Sequence, residues 1–145
     1  MKSLLFKLSL SLLLFGIAGY SFSQNSEDIR FEKSKLKFDK LEEGTPVEIK
    51  YSFTYSGEFP LNITPPEVDC TCTEVVLPEG EIIKGKPYTI IIKFDTKDKI
   101  GYQEREVILH FTSDAMDSRS IAKTIVFRGV VKASKATKEA YQKKD

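Results

Sequence analysis

From Val47 to Tyr55, apolar and polar residues alternate without a break. Val47, Ile49, Tyr51, Phe53 and Tyr55 stand against Glu48, Lys50, Ser52 and Thr54. A period of two places one face in a core and the other in water, and so predicts a strand. Tyr88, Ile90, Ile92 and Phe94 repeat the pattern, and Ile91 on the polar side points to partial cover there as well. Val107, Leu109 and Phe111 form a third inward face, with Ile108, His110 and Thr112 opposite. Ile125, Phe127 and Val130-Val131 mark a last strand; Ile29, Phe31, Leu36 and Phe38 mark an interrupted first one. Leu61 and Ile63 form a short apolar pair that Pro65-Pro66 is expected to end, because proline withholds a ladder donor.

Glycine and proline punctuate these runs, at Gly44-Thr45-Pro46, Pro78-Glu79-Gly80 and Gly85-Lys86-Pro87. No segment beyond the N-terminal leader sustains a helical period. About seven short strands at regular spacing read as an all-β antiparallel sandwich. Its core is expected from the odd-numbered residues of 47–55 and 107–111 and the even-numbered residues of 88–94. A hydrophobic content of 41% in 145 residues suits one packed domain. The formal net charge of +1 argues against a nucleic-acid partner, which would call for a strongly basic domain.

The ends of the chain differ from its middle. Lys2 and Lys7 precede an almost wholly apolar run from Leu8 to Ala18, followed by the small residues of Gly19-Tyr20-Ser21-Phe22-Ser23. That order is a secretory signal peptide, predicted to span 1–23 with cleavage after Ser23. The apolar run falls short of the roughly 20 residues a membrane span needs. The mature protein is therefore expected outside the cytosol, periplasmic or extracellular, with no membrane span left after cleavage. Residues 24–30 are expected to be a flexible segment, 31–131 the sandwich, and 132–145 a solvated basic tail or weak surface helix carrying five lysines.

The chain offers little for catalysis. A Ser–His–acid site would have to use His110, which lies on the outward side of a strand and reads as a partly exposed structural residue. There is no Gly-rich phosphate loop and no metal-binding helix motif, so no catalytic residue and no cofactor is expected. Glu42-Glu43 and Glu104/Glu106 read as solubility and edge-protection charges.

Both cysteines fall in Val68-Asp69-Cys70-Thr71-Cys72-Thr73. In an extended strand they share a face, with Cα atoms about 6.6 Å apart. A disulfide wants roughly 4.4–6.8 Å, so the bond is at the limit of reach unless the backbone bends. The β-branched Thr71 prefers extended geometry, which works against a bend. Three readings stay open for the Cys70/Cys72 pair: two small buried thiols, a reactive disulfide formed locally or to another chain, or a thiolate pair for a soft ion such as Cu(I).

A family resemblance runs through the same residues. Phe38-Asp39-Lys40-Leu41-Glu42-Glu43-Gly44, Tyr51–Gly57, Pro60-Leu61-Asn62-Ile63, Val68–Thr73, Ile83-Lys84-Gly85, Ile90–Thr96, Lys99-Ile100-Gly101 and Phe127–Val131 together resemble the DUF1573 family. The resemblance implies an immunoglobulin-like sandwich, related to chaperone-type and ciliary ASH domains, in an exported protein of the kind common in Bacteroidetes. It implies no activity. The family's centre is usually Cys-Gly-Cys-Thr, and here Thr71 stands in place of the glycine that would allow a tight bend. The family's Asn-Thr-Gly turn is changed to Tyr55-Ser56-Gly57. The expected role is a non-enzymatic module that binds another protein or component of the envelope, with Cys-based redox or Cu(I) handling as the alternative.

Overall fold

A computed structural model describes residues 26–116 and 120–143. The leader expected over 1–23 lies outside the described residues. Nine strands are formed among those described: β1 Ile29–Phe31, β2 Lys35–Lys37, β3 Leu41–Glu42, β4 Val47–Tyr55, β5 Asn62–Val68, β6 Thr73–Val76, β7 Pro87–Phe94, β8 Gly101–Thr112 and β9 Ser120–Lys132. One helix follows, α1 Lys135–Gln142. The strands pack as two sheets, one in the order β1-β4-β7-β6 and the other β2-β9-β8-β5, with β3 also paired to β9.

The alternating runs supply the core. Every odd residue from Val47 to Tyr55 is buried, as are Ile90, Ile92, Phe94, Val107, Leu109 and Phe111. Tyr88 is only half buried; its hydroxyl accepts the Ile83 N–H at 2.8 Å. Ile91 is partly covered, as its apolar character on the polar side predicts. Phe53 stacks on Tyr88 and meets Phe111 edge-on, so rings from both sheets interlock. Gly129 in β9 lies beneath the Phe38 ring, and a Cβ there would enter that ring's volume.

Three expectations need correction. The interrupted first strand is three pieces on two sheets: β1 pairs with β4, whereas β2 and β3 pair with β9. The second sheet is therefore mixed, because β2 and β3 run parallel to β9. The sandwich itself starts before its expected boundary at residue 31, although Ile29 already marks the first strand in the sequence. Ile29 and Arg30, assigned to the flexible 24–30 segment, belong to β1, and Ile29 is buried because its apolar side chain joins the core. Finally, Pro65-Pro66 does not end a strand. β5 runs through both prolines with a register shift between Thr64 and Glu67. This is tolerated because β5 is an edge strand, where a missing donor faces away from the ladder.

The C-terminal segment is ordered as the helix α1. Its eight residues are too few to hold a helix alone, and none is buried. The hold comes from its start. The Ser134 hydroxyl accepts the Thr137 N–H at 3.2 Å, and Glu43 accepts from the Thr137 hydroxyl and the Ser134 N–H. Glu43 also accepts the Asp98 N–H at 3.1 Å. These donors, the Thr137 hydroxyl first, hold its carboxyl below the usual 4.5. A carboxyl depressed in the folded state stabilises above its unfolded pKa and loses that contribution as pH falls through the folded value. The helix should therefore be protected at pH 6 and fray as pH drops below 4.5. Amide exchange of residues 135–142 measures this, and Glu43→Ala should give the frayed exchange rates already at pH 6. Unchanged α1 protection in that variant would contradict the clamp.

Candidate functional site

The two cysteines sit where the chain passes from one sheet to the other. β5 ends at Val68, opposite Val107 of β8; β6 begins at Thr73, opposite Phe94 of β7. Only Asp69 to Cys72 separate them, so the chain must turn sharply rather than run extended. The Thr73 N–H donates to the Cys70 carbonyl at 3.1 Å and closes that turn. The Cα atoms of Cys70 and Cys72 come to 5.1 Å, and their sulfurs are joined as a disulfide.

This overturns the free-thiol reading and the inference drawn from Thr71. Asp98 is the one non-glycine residue with positive φ among those described, so Thr71 and Cys72 both keep negative φ. Two negative φ values at the centre of a turn are those of the type I class, which needs no glycine. The bend is imposed by the crossover between sheets, so the family's glycine is dispensable here.

Contacts from both sheets fix the crossover. The Asp95 N–H, just past β7, donates to the Cys72 carbonyl at 2.8 Å. From the other sheet, Arg105 of β8 brings its Nε to 3.9 Å from Asp69 Oδ2. Arg105 Nη2 donates to Gln103 Oε1 at 3.0 Å, while its buried Nε has no hydrogen-bond partner. Buried Thr73 Oγ1, at the start of β6, also lacks one.

Beside the disulfide, a groove of about 430 Å³ crosses the ends of β4, β7 and β6. Pro46 gives it exposed apolar surface, the buried Val47 and Phe94 lie at its floor, and Thr71 and Cys72 form one side. Glu48, Glu74 and Asp95 supply three carboxylates; Lys93 is the cation of the lining, and Lys50 at its margin pairs with Glu48 at 3.3 Å. Glu48 and Glu74 both lie opposite Lys93 in register, and Lys93 Nζ bonds Glu74 Oε1 at 3.1 Å. Both partners of that pair are well exposed, so it adds little stability and leaves the acidic character of the groove in place.

Elsewhere the surface is different. A groove of about 410 Å³ near β2 and β9 is lined by Lys37, Phe38, Lys40, Tyr102, Arg128 and Val130. There the Tyr102 hydroxyl donates to Glu104, which lies 4.0 Å from Arg128. His110 meets Glu67 at 2.7 Å across the β8–β5 pair. That contact fastens the edge strand just past its register shift, and His110's partner is a carboxylate rather than a nucleophile. Among the described residues, no group of three or more His, Cys, Asp or Glu could hold a metal ion.

Reading the sequence missed the groove itself. Glu48, Lys93 and Glu74 come from three strands, and only their register reveals that they form one row. The same reading treated Glu43 as a turn charge, although it is the acceptor that orders α1.

Comparison with known proteins bears on the fold. The family model for DUF1573, a protein of unknown function, matches residues 29–129. No curated protein matches the sequence. The structure is similar to an ASH/PapD-like domain of human CEP192 (TM-score 0.60, 10% identity), with 79% of this chain and 93% of that one covered. It is also similar to part of the Vibrio cholerae VesB protease (TM-score 0.54, 12% identity), with 72% of this chain and 32% of that chain covered. At these identities the likeness is one of fold, an immunoglobulin-like sandwich of the PapD type.

Proposed function

The chain belongs to the DUF1573 family of proteins of unknown function, and from that premise we propose that it is an exported, non-enzymatic β-sandwich module that binds an envelope polypeptide at the groove beside Cys72. The carrying observation is the groove's make-up, with exposed Pro46 and half-exposed Cys72 as its accessible apolar surface beside the carboxylates Glu48, Glu74 and Asp95. Apolar surface supplies affinity, and the charges select and steer a basic partner. The neighbouring edge adds a second means of attachment. β6 pairs with β7 alone, so its other side can take an added strand. β5 is guarded by two prolines and a register shift, and β2 is a three-residue strand with lysine at both ends. The leader-like pattern of residues 1–23 supports export.

A photo-crosslinking residue placed at exposed Thr71 tests this in intact cells, with exposed Glu106 on the opposite sheet as the control position. A discrete crosslinked product from position 71 and none from 106 is expected. Products from 106 alone, or from neither position, would remove the groove as the binding surface.

A second reading is favoured by the disulfide. It closes a loop with a sequence separation of 2. Closing so short a loop restricts the unfolded chain little, worth about 1.5 kcal/mol against about 3 for a 15-residue loop. A bond that adds so little stability, in a half-exposed crossover, suits reversible redox chemistry better than bracing. Cu(I) would require prior reduction, because a disulfide offers no thiolate.

A further inference from the structure

We infer that Cys72, rather than Cys70, is the sulfur through which this protein exchanges disulfides, and that its exchange partner is a polypeptide bearing a cysteine flanked by lysine or arginine. The inference rests on the redox reading above and assigns its direction and partner chemistry.

The two sulfurs differ in their surroundings. Cys72 lines the groove, and Cys70 is not among its lining residues. Both cysteines are half-buried, and Cys72 also packs against the core, so it is the groove that approaches the disulfide from the Cys72 side. The Cys72 N–H donates to Cys70 Sγ at 3.1 Å. A donor aimed at sulfur favours the thiolate, and the sulfur better able to carry negative charge leaves faster. Asp69 adjoins Cys70, but Arg105 stands 3.9 Å from its carboxylate and offsets that charge. Cys72 lies in a groove where Lys93 and Lys50 offset Glu74 and Glu48 in the same way, which leaves Asp95 as the nearby charge that disfavours negative charge on its sulfur. Access and leaving ability thus agree.

The step balances as a simple exchange. The partner's thiolate attacks Cys72 Sγ in line with the existing bond. A new S–S bond forms between partner and Cys72 while the Cys72–Cys70 bond breaks. The electron pair leaves on Cys70 Sγ, which takes a proton from water. A second thiolate of a dithiol partner then displaces Cys72, leaving the partner oxidised to a disulfide and the pair reduced to two thiols. The carboxylates in the groove repel a bare thiolate. They tolerate one whose charge is offset by a neighbouring cation, which also lowers that thiol's pKa.

Two small thiols of similar size and opposite charge test this on the oxidised protein. Cysteamine carries an ammonium, and 2-mercaptoethanesulfonate carries a sulfonate. After correction for thiol pKa, cysteamine should open the disulfide faster by roughly fivefold or more at low salt. That preference should shrink at high salt and in Glu48→Gln/Glu74→Gln. Reactions quenched in acid, alkylated and sequenced by tandem mass spectrometry should carry cysteamine on Cys72 and the alkyl group on Cys70. If no adduct survives quenching, the rate ratio decides alone. Cysteamine on Cys70, an even distribution, or equal rates for the two thiols would overturn the inference while leaving the redox reading intact. Resistance of the bond to both thiols at millimolar concentration would overturn both.

Discussion

Replacing Tyr51 with alanine is expected to destabilise the domain by about 3–5 kcal/mol, the range for deleting a buried aromatic side chain. Tyr51 is fully buried in the middle of β4, paired with Ile90 of β7. Its ring fills the space between the sheets, and its hydroxyl donates to the Val126 carbonyl of β9 at 2.6 Å. That bond spans the sandwich from one sheet to the other. Burial raises the hydroxyl's pKa well above its ordinary value, so it remains a donor throughout the accessible pH range. Tyr51→Phe keeps the ring and removes the donor. It removes one donor from a carbonyl that also takes part in the β2–β9 ladder, at an expected cost of about 0.5–1.5 kcal/mol. Against a total stability of about 5–15 kcal/mol for a typical domain, the alanine variant loses a large share. Urea unfolding of the two variants separates the contributions. A phenylalanine variant as stable as the parent would show that the inter-sheet hydrogen bond contributes nothing net.

The second large effect is expected at the groove and concerns binding rather than stability. Glu48→Lys/Glu74→Lys turns an acidic rim into a basic one around Lys93. If the partner is steered by those carboxylates, its affinity should fall by about tenfold or more, chiefly through slower association. The fold should hold with a loss of about 1–2 kcal/mol, because both side chains are exposed but the new lysines lie directly opposite Lys93 in register. Circular dichroism and melting curves check the fold, and surface plasmon resonance at two salt concentrations checks the affinity. Retained affinity with an unchanged salt dependence would mean that the carboxylates do not steer a partner.

The sequence carried the sandwich because burial on a sheet has a period of two, and the alternation at 47–55, 88–94 and 107–111 shows it without knowledge of pairing. It also placed Tyr51 inward, but a single strand cannot show that its hydroxyl would reach a carbonyl 75 residues away. The first strand divided between sheets because short segments such as Lys35–Lys37 gain their stability from pairing with β9, a non-local term. The prolines of β5 misled because a break in hydrogen bonding harms only a central strand, and edge position is a property of the assembled sheet. The candidate site was half legible. Cys70 and Cys72 stood out by type and spacing. Their union did not, because local geometry favoured an extended Thr71 whereas the crossover between sheets forces the turn. The acidic groove was not legible, since its residues adjoin only once β4, β7 and β6 are in register.

The most direct test of the groove as recognition surface is a footprint by nuclear magnetic resonance on isotope-labelled protein, titrated with the polypeptide captured by crosslinking. Amide shifts are expected to cluster at Val47–Glu48, Thr71–Glu74 and Lys93–Asp95, and to vanish in Glu48→Lys/Glu74→Lys. Shifts confined instead to the basic groove around Tyr102 and Arg128, or to the His110–Glu67 face of the second sheet, would contradict it.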